Sequence, residues 1–309
     1  MDCPCAGVKT TMKIGFSTIG CPDWDLDKII SQAQAMGYQA VELRGLQGEM
    51  HLPAVAAVAR DPAALAARFA EAKLDIACLA TGNCFHWQDK KKVAEHKGQV
   101  REFIELAAEL KCPYVRVFGD EVPRYEQKQA ALLRVAEALR DLAPVAAAHG
   151  VTLVLENHGD FAASRDIWYI LDSVDHPAVQ CCWHPCHAKA AGDRISLSLP
   201  RVGRLIALVH LVDGRFNDAG ALEGYALPGD GNAEIEKFLL LLRGLTYDGY
   251  LIFDWPKLWI TGLADPEKTF PSALTKIKAM LAKLDAVKDL TAYKGDKNVP
   301  KFAASHAGS

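Results

Sequence analysis

Short apolar runs rich in β-forming residues alternate along this chain with longer segments of helical period. The runs are IGFST (14–18), AVELRG (40–45), IACLATG (76–82), YVRVFG (114–119), TLVLEN (152–157), VQCCW (179–183), LVHLVD (208–213) and YLIFDW (250–255). Apolar residues fill successive rather than alternate positions, as in strands covered on both faces. Between the runs, residues 25–36 end at Gly37, a natural helix stop. Residues 55–73 are Ala-rich and interrupted at Pro62. Over 89–110, Val100, Phe103, Ile104, Ala107 and Leu110 share one helical face. Residues 126–148, 164–173, 194–208, 232–243 and 267–284 complete the series. This alternation predicts an α/β fold, a parallel sheet covered by helices, and eight strands are the number that closes a single (β/α)8 barrel; a doubly wound open sheet is the alternative. No linker divides residues 12–285, and 286–309 reads as an extended C-terminal tail.

Composition narrows the picture. The 309 residues suit one barrel. A net charge of -3 offers no electrostatic case for nucleic acid or an anionic membrane surface. No apolar run approaches the roughly 18 residues of a membrane helix, and MDCPCAGVKTTMKIGF lacks a signal-peptide core, so a soluble cytoplasmic protein is expected. Nine cysteines, an odd number, argue for reduced thiols. Cys3 and Cys5 lack a partner pair for a zinc site. Cys181 reads as packing, while Cys182 and Cys186 flank His184 and His187.

In a barrel, chemistry gathers at the C-terminal ends of the strands. Those ends carry Glu42 and Arg44; Thr81, Asn83 and His86; Arg116 and Asp120; Glu156, Asn157 and His158; His184 and His187; His210 and Asp213; Asp254 and Lys257. Ionisable groups are costly to bury unless paired or metal-bound. Glu156, His184, His210 and Asp254 take one residue from each of the last four strands. Consecutive strands about 5 Å apart place them on one arc of the rim. Carboxylate plus imidazole suits zinc, manganese, cobalt or iron. His158 and His187 are candidates for substrate or support, and Glu42 for a substrate contact or an ion pair with Arg44. PGDGN (228–232) reads as a tight turn with Asn232 as helix N-cap, rather than a phosphate site.

KIGFSTIGCPDWDLDKIISQAQAMGYQAVELRG, LENHGDF, CWHPCHA, VHLVDGR, YALPGDGN and FDWPKLW together resemble the sugar phosphate isomerase/epimerase superfamily, the xylose isomerase-like TIM barrels, over residues 12–285. The resemblance implies a metal set of Glu, Asp, His and Glu on strands 5 to 8. Glu156 and His210 match; His184 stands where Asp is usual, and Asp254 where the last Glu is usual. The site carries about one negative charge less, which shifts the expected divalent metal toward manganese or zinc. The resemblance also implies Glu156 and Asp254 as acid/base groups, with Glu42, His86, His158, His187, Arg215 and Lys257 as candidate substrate contacts.

The expected activity is therefore metal-dependent isomerisation or epimerisation of a small sugar or keto sugar, by proton transfer beside a polarised carbonyl. Two alternatives stand. One is a lyase or dehydratase acting on a keto-inositol or 3-keto-glycoside. The other is a non-catalytic sugar-binding barrel with a decayed metal site. A homo-oligomer is compatible with either. A DNA-repair role like that of endonuclease IV fits poorly, because that chemistry uses a three-metal cluster and a DNA-binding surface.

Overall fold

Each apolar run of the sequence becomes a strand. The computed structural model describes residues 12–286; the tail expected over 286–309 lies, beyond its first residue, outside the described residues, as do Cys3 and Cys5. The strands are β1 (Lys13–Ser17), β2 (Ala40–Leu43), β3 (Asp75–Cys84), β4 (Tyr114–Phe118), β5 (Thr152–Glu156), β6 (Val179–Trp183), β7 (Ile206–Leu211), β8 (Asp213–Phe216), β9 (Leu222–Ala226) and β10 (Tyr250–Phe253). All but β8 and β9 form a closed parallel barrel in the order β1-β10-β7-β6-β5-β4-β3-β2. The (β/α)8 expectation holds, and the open sheet is excluded because β1 pairs with the last strand, β10, as well as with β2.

The helices follow local signals. Leu26–Met36 starts on Asp25, whose carboxylate accepts the Lys28 N–H, and stops at Gly37 with φ 85°. The expected 55–73 segment divides at Pro62 into Ala56–Ala59 and Pro62–Glu71, the second capped by Asp61. Lys90–Glu109 buries Val100, Phe103, Ile104 and Ala107. These faces pack against the barrel's outside to form the larger apolar cluster. Among the described residues, no helix is long and apolar enough to cross a membrane.

Two local expectations are corrected, and one hairpin is added. The helix placed over 194–208 is Ile195–Val202, and the chain from Ile206 belongs to β7. The antiparallel hairpin β8–β9 was not expected at all. Asn232 is not an N-cap, because the helix after it begins at Ile235. Its amide instead exchanges two hydrogen bonds with the Phe216 backbone, each 2.8 Å long.

Candidate active site

Side chains alternate along a strand, so residues two apart share a face. Ala40, Cys78, Val154, Cys182, Leu208 and Ile252 belong to the small apolar cluster that fills the barrel. Two residues beyond five of them stand Glu42, Glu156, His184, His210 and Asp254. On β4, Arg116 follows Tyr114 in the same way. The strand period alone thus gathers three carboxylates, two imidazoles and a guanidinium at one mouth. Apart from Asp254, these groups are buried.

His210 is the hub. Its Nε2 lies 2.8 Å from Glu42 Oε2, so the ring donates there and its Nδ1 is turned the other way. Nδ1 is buried without a hydrogen-bond partner. It stands 3.3 Å from Glu156 Oε2 and 4.0 Å from Asp254 Oδ2. A carboxylate behind one ring nitrogen and a free second nitrogen in front is the arrangement of a metal-binding histidine. Ligand atoms of Glu42, His210 and Asp254 lie within 4.8 Å of one another, as do those of Glu156, Cys182 and His210. Burial disfavours the His210 cation, yet Cys182, Glu42 and Glu156 outweigh it and raise the pKa well above the usual imidazole value in the metal-free protein. A divalent ion would take the place of that proton.

His184 is oriented differently. Its Nδ1 accepts the His187 N–H at 3.4 Å, at the start of the short helix Pro185–Ala190. In a neutral imidazole that leaves the proton on Nε2, 3.8 Å from Asp254 Oδ2. In this tautomer His184 donates toward Asp254 rather than offering a lone pair. Asn157 fixes it: Oδ1 accepts the His184 N–H at 2.6 Å and Nδ2 donates to the His184 carbonyl at 3.0 Å. His187 stacks on His184 with centroids 3.6 Å apart and donates from Nδ1 to the Asn157 carbonyl at 3.0 Å. Burial pushes His187 down to about 4 and His184 well below its usual value, so both rings are neutral at pH 7.

The two acidic groups at the front of the site differ. Burial pushes Glu156 up, but His210 and Arg116 outweigh it and hold the carboxyl well below the usual range. Asp254 is more exposed, with 18% of its side chain open, and burial raises it to about 6. Environment thus separates a fixed anion from a group poised to exchange protons.

Two arginines border the carboxylates, and the ion pair expected between Arg44 and Glu42 is not among the described salt bridges. Arg116 Nε is 3.1 Å from Glu156 Oε2, and its Nη1 donates to the Thr81 carbonyl at 2.6 Å. Arg44 is buried, with Nη1 unpartnered, and burial together with Arg116 lowers it to about 10. A charge at the inward position of the apolar strand YVRVF was the available signal: such a residue demands a buried partner.

The remaining candidates divide. His158 Nδ1 lies 3.0 Å from Asp120 Oδ1, with its ring 5.0 Å from that of His187, and so borders the cluster. His86 is buried, and its Nδ1 donates to the Gly119 carbonyl at 3.1 Å. Glu42, expected as a substrate contact or a partner of Arg44, is fully buried against His210. Arg215 is exposed on β8. Lys257 does not reach the cluster; its ammonium binds the carbonyls of Thr261 and Leu263 and the Asp265 carboxylate. Asp213 is also occupied: its two oxygens accept the N–H groups of Gly214, Gly229, Gly231 and Ala233 at 2.8–3.0 Å, which latches PGDGN in place.

The sequence profile described as xylose isomerase-like TIM barrel matches residues 30–280. The chain belongs to the xylose isomerase-like TIM barrel family. Solved structures of similar fold include the IolI protein with a bound zinc atom, at 18% identity and a TM-score of 0.75, covering 88% of this chain and 99% of that one. An L-ribulose 3-epimerase is 18% identical, with a TM-score of 0.73 and coverage of 92% and 99%. A probable 3-DHS dehydratase, AsbF from Bacillus anthracis, is 15% identical, with a TM-score of 0.71 and coverage of 86% and 99%. No curated protein sequence matches the chain significantly.

Proposed function

We propose that this chain is a metal-dependent isomerase or epimerase of a small sugar or keto sugar. The observation that carries this reading is the buried, unpartnered His210 Nδ1 held between Glu156 Oε2 and Asp254 Oδ2, with Glu42 fixing its tautomer. Glu156, His210 and Asp254 would hold a divalent ion, manganese or zinc, and His184 would support Asp254 from behind. Should the His187 N–H bond open, His184 becomes the fourth ligand. A divalent ion there would polarise the carbonyl of a bound α-hydroxyketone. The zinc in the IolI structure and the L-ribulose 3-epimerase fold support this choice.

The protein's own groups divide the labour. Asp254, near neutrality and partly open, takes the proton from the carbon beside the carbonyl and can return it. Glu156 stays ionised, and in an epimerisation it would have to carry the second proton on the opposite face. Arg116 and His210 set the charge around the reacting oxygen. His158 and His187, which border the cluster, would bind hydroxyl groups.

The inequality of Glu156 and Asp254 also favours reactions that need one mobile proton carrier. That keeps a second reading, elimination from a keto sugar or related ring, which begins with the same proton removal. Turnover of ketoses in deuterated water separates them. Deuterium beside the carbonyl of recovered sugar supports isomerisation, and loss of water or aglycone supports the lyase. No exchange and no elimination by protein loaded with manganese or zinc would refute both. Metal analysis tests the ligands directly: Glu156→Gln and His210→Ala should lose the ion, whereas His184→Ala should retain most of it.

A further inference from the structure

A second set of metal-type side chains converges at the ends of β3 and β4. Cys84 closes β3 in register with Phe118 of β4, His86 follows two residues later, and Asp120 lies just past β4. Ligand atoms of Cys84, His86 and Asp120 lie within 4.8 Å of one another. Cys84 and His86 are buried.

The neighbours leave the right atoms free. His86 uses Nδ1 to donate to the Gly119 carbonyl, so the Nε2 lone pair remains. Asp120 commits Oδ1 to His158, which leaves Oδ2. Trp87 Nε1 is buried without a hydrogen-bond partner, on the side of the Cys84 sulfur, where a thiolate would accept its N–H. The Asp120 backbone is pinned as well. It adopts φ 77°, and its carbonyl accepts the Asp160 N–H at 2.8 Å. Gly159 packs so closely on that carbonyl that any Cβ would collide with it.

We propose that Cys84, His86 and Asp120 bind a second divalent cation, through Sγ, Nε2 and Oδ2, with water in a fourth position. Thiolate, imidazole and carboxylate around a tetrahedral centre select zinc over manganese or magnesium. The site is separate from the His210 cluster but connected to it. Asp120 bonds His158, whose ring approaches His187, and His187 Nδ1 lies 3.5 Å from Glu156 Oε1. The cation would fix Asp120 and thereby the orientation of His158 at the edge of the mouth.

Cobalt(II) replacement in the full-length protein tests this independently of the proposed reaction, because the ligand set of Glu156, His210 and Asp254 contains no sulfur. The expected result is a near-ultraviolet thiolate-to-cobalt charge-transfer band that persists in Glu156→Gln and in Cys182→Ser but disappears in Cys84→Ser. Bound cobalt should fall by one equivalent in His86→Gln, a variant that leaves the thiol in place. Absence of the band in the wild-type protein, its survival in Cys84→Ser, or its loss in Cys182→Ser would overturn the proposal. So would an unchanged metal content in His86→Gln.

Discussion

Two layers of the barrel interior are built on the same strands, one step of the pleat apart, and they have opposite characters. The lower layer holds Ala40, Val154, Cys182, Leu208 and Ile252. The upper layer, two residues on, holds Glu42, Glu156, His184, His210 and Asp254. Both are enclosed by the same helices. What changes is that every charge in the upper layer has a neighbour of opposite sign or a tautomer that suits it, whereas the Cys182 thiol is the one polar group among these lower-layer side chains. Buried charge in these two layers is confined to the depth at which partners from adjacent strands meet.

Moving a charge down one layer should break the arrangement most severely. Val154→Glu would place a carboxylate among Ala, Cys and Leu side chains, at a cost of several kcal/mol, comparable with the whole stability of a domain. Circular dichroism should show no folded soluble protein; ordinary stability would mean that the layers are interchangeable. Asp254→Asn keeps the shape but removes the mobile proton, and solvent deuterium uptake should fall by about 10²–10⁴-fold. Arg116→Met strips the guanidinium from beside Glu156 and Glu42. Urea unfolding should show a loss of about 3–5 kcal/mol, and a loss below about 1 kcal/mol would show that His210 alone balances the carboxylates.

The neutral histidines give a pH test. His187 falls from 6.5 to about 4 on folding. Below pH 6.5 the unfolded chain binds a proton that the folded chain refuses. The His187 contribution to the stability of the metal-free protein should therefore be full above pH 6.5 and decline as pH falls toward 4, by on the order of 3 kcal/mol. His184 shifts in the same direction. In His187→Gln the slope between those pH values should be distinctly shallower. The smallest effect belongs to the lower layer: Cys78→Ala removes one buried sulfur and should cost about 1 kcal/mol in the same unfolding assay.

Much of the barrel was legible because its strands, covered on both faces, are continuous apolar runs. The β8–β9 hairpin was not, because its strands are four and five residues long and mix buried with open positions. The same limit divides the site. Glu156, His210 and Asp254 stand out as ionisable groups ending apolar strands. Their roles depend on which atom each ring meets. His210 is oriented by Glu42, 168 residues away in sequence, and His184 by its own helix turn. No spacing rule distinguishes those two tautomers. Arg116 was visible as a charge inside a strand, but its partnership with Glu156 appears only when β4 and β5 lie side by side.

The Asp213 latch has a consequence for ligand choice. Four backbone N–H groups around PGDGN converge on one carboxylate that is covalently part of the chain. A tethered anion cannot diffuse away, so solution anions compete for that loop at a permanent disadvantage. The turn that in other barrels could serve as a phosphate receptor is here already filled from within, and a phosphorylated ligand would have to find its counter-charge elsewhere on the rim.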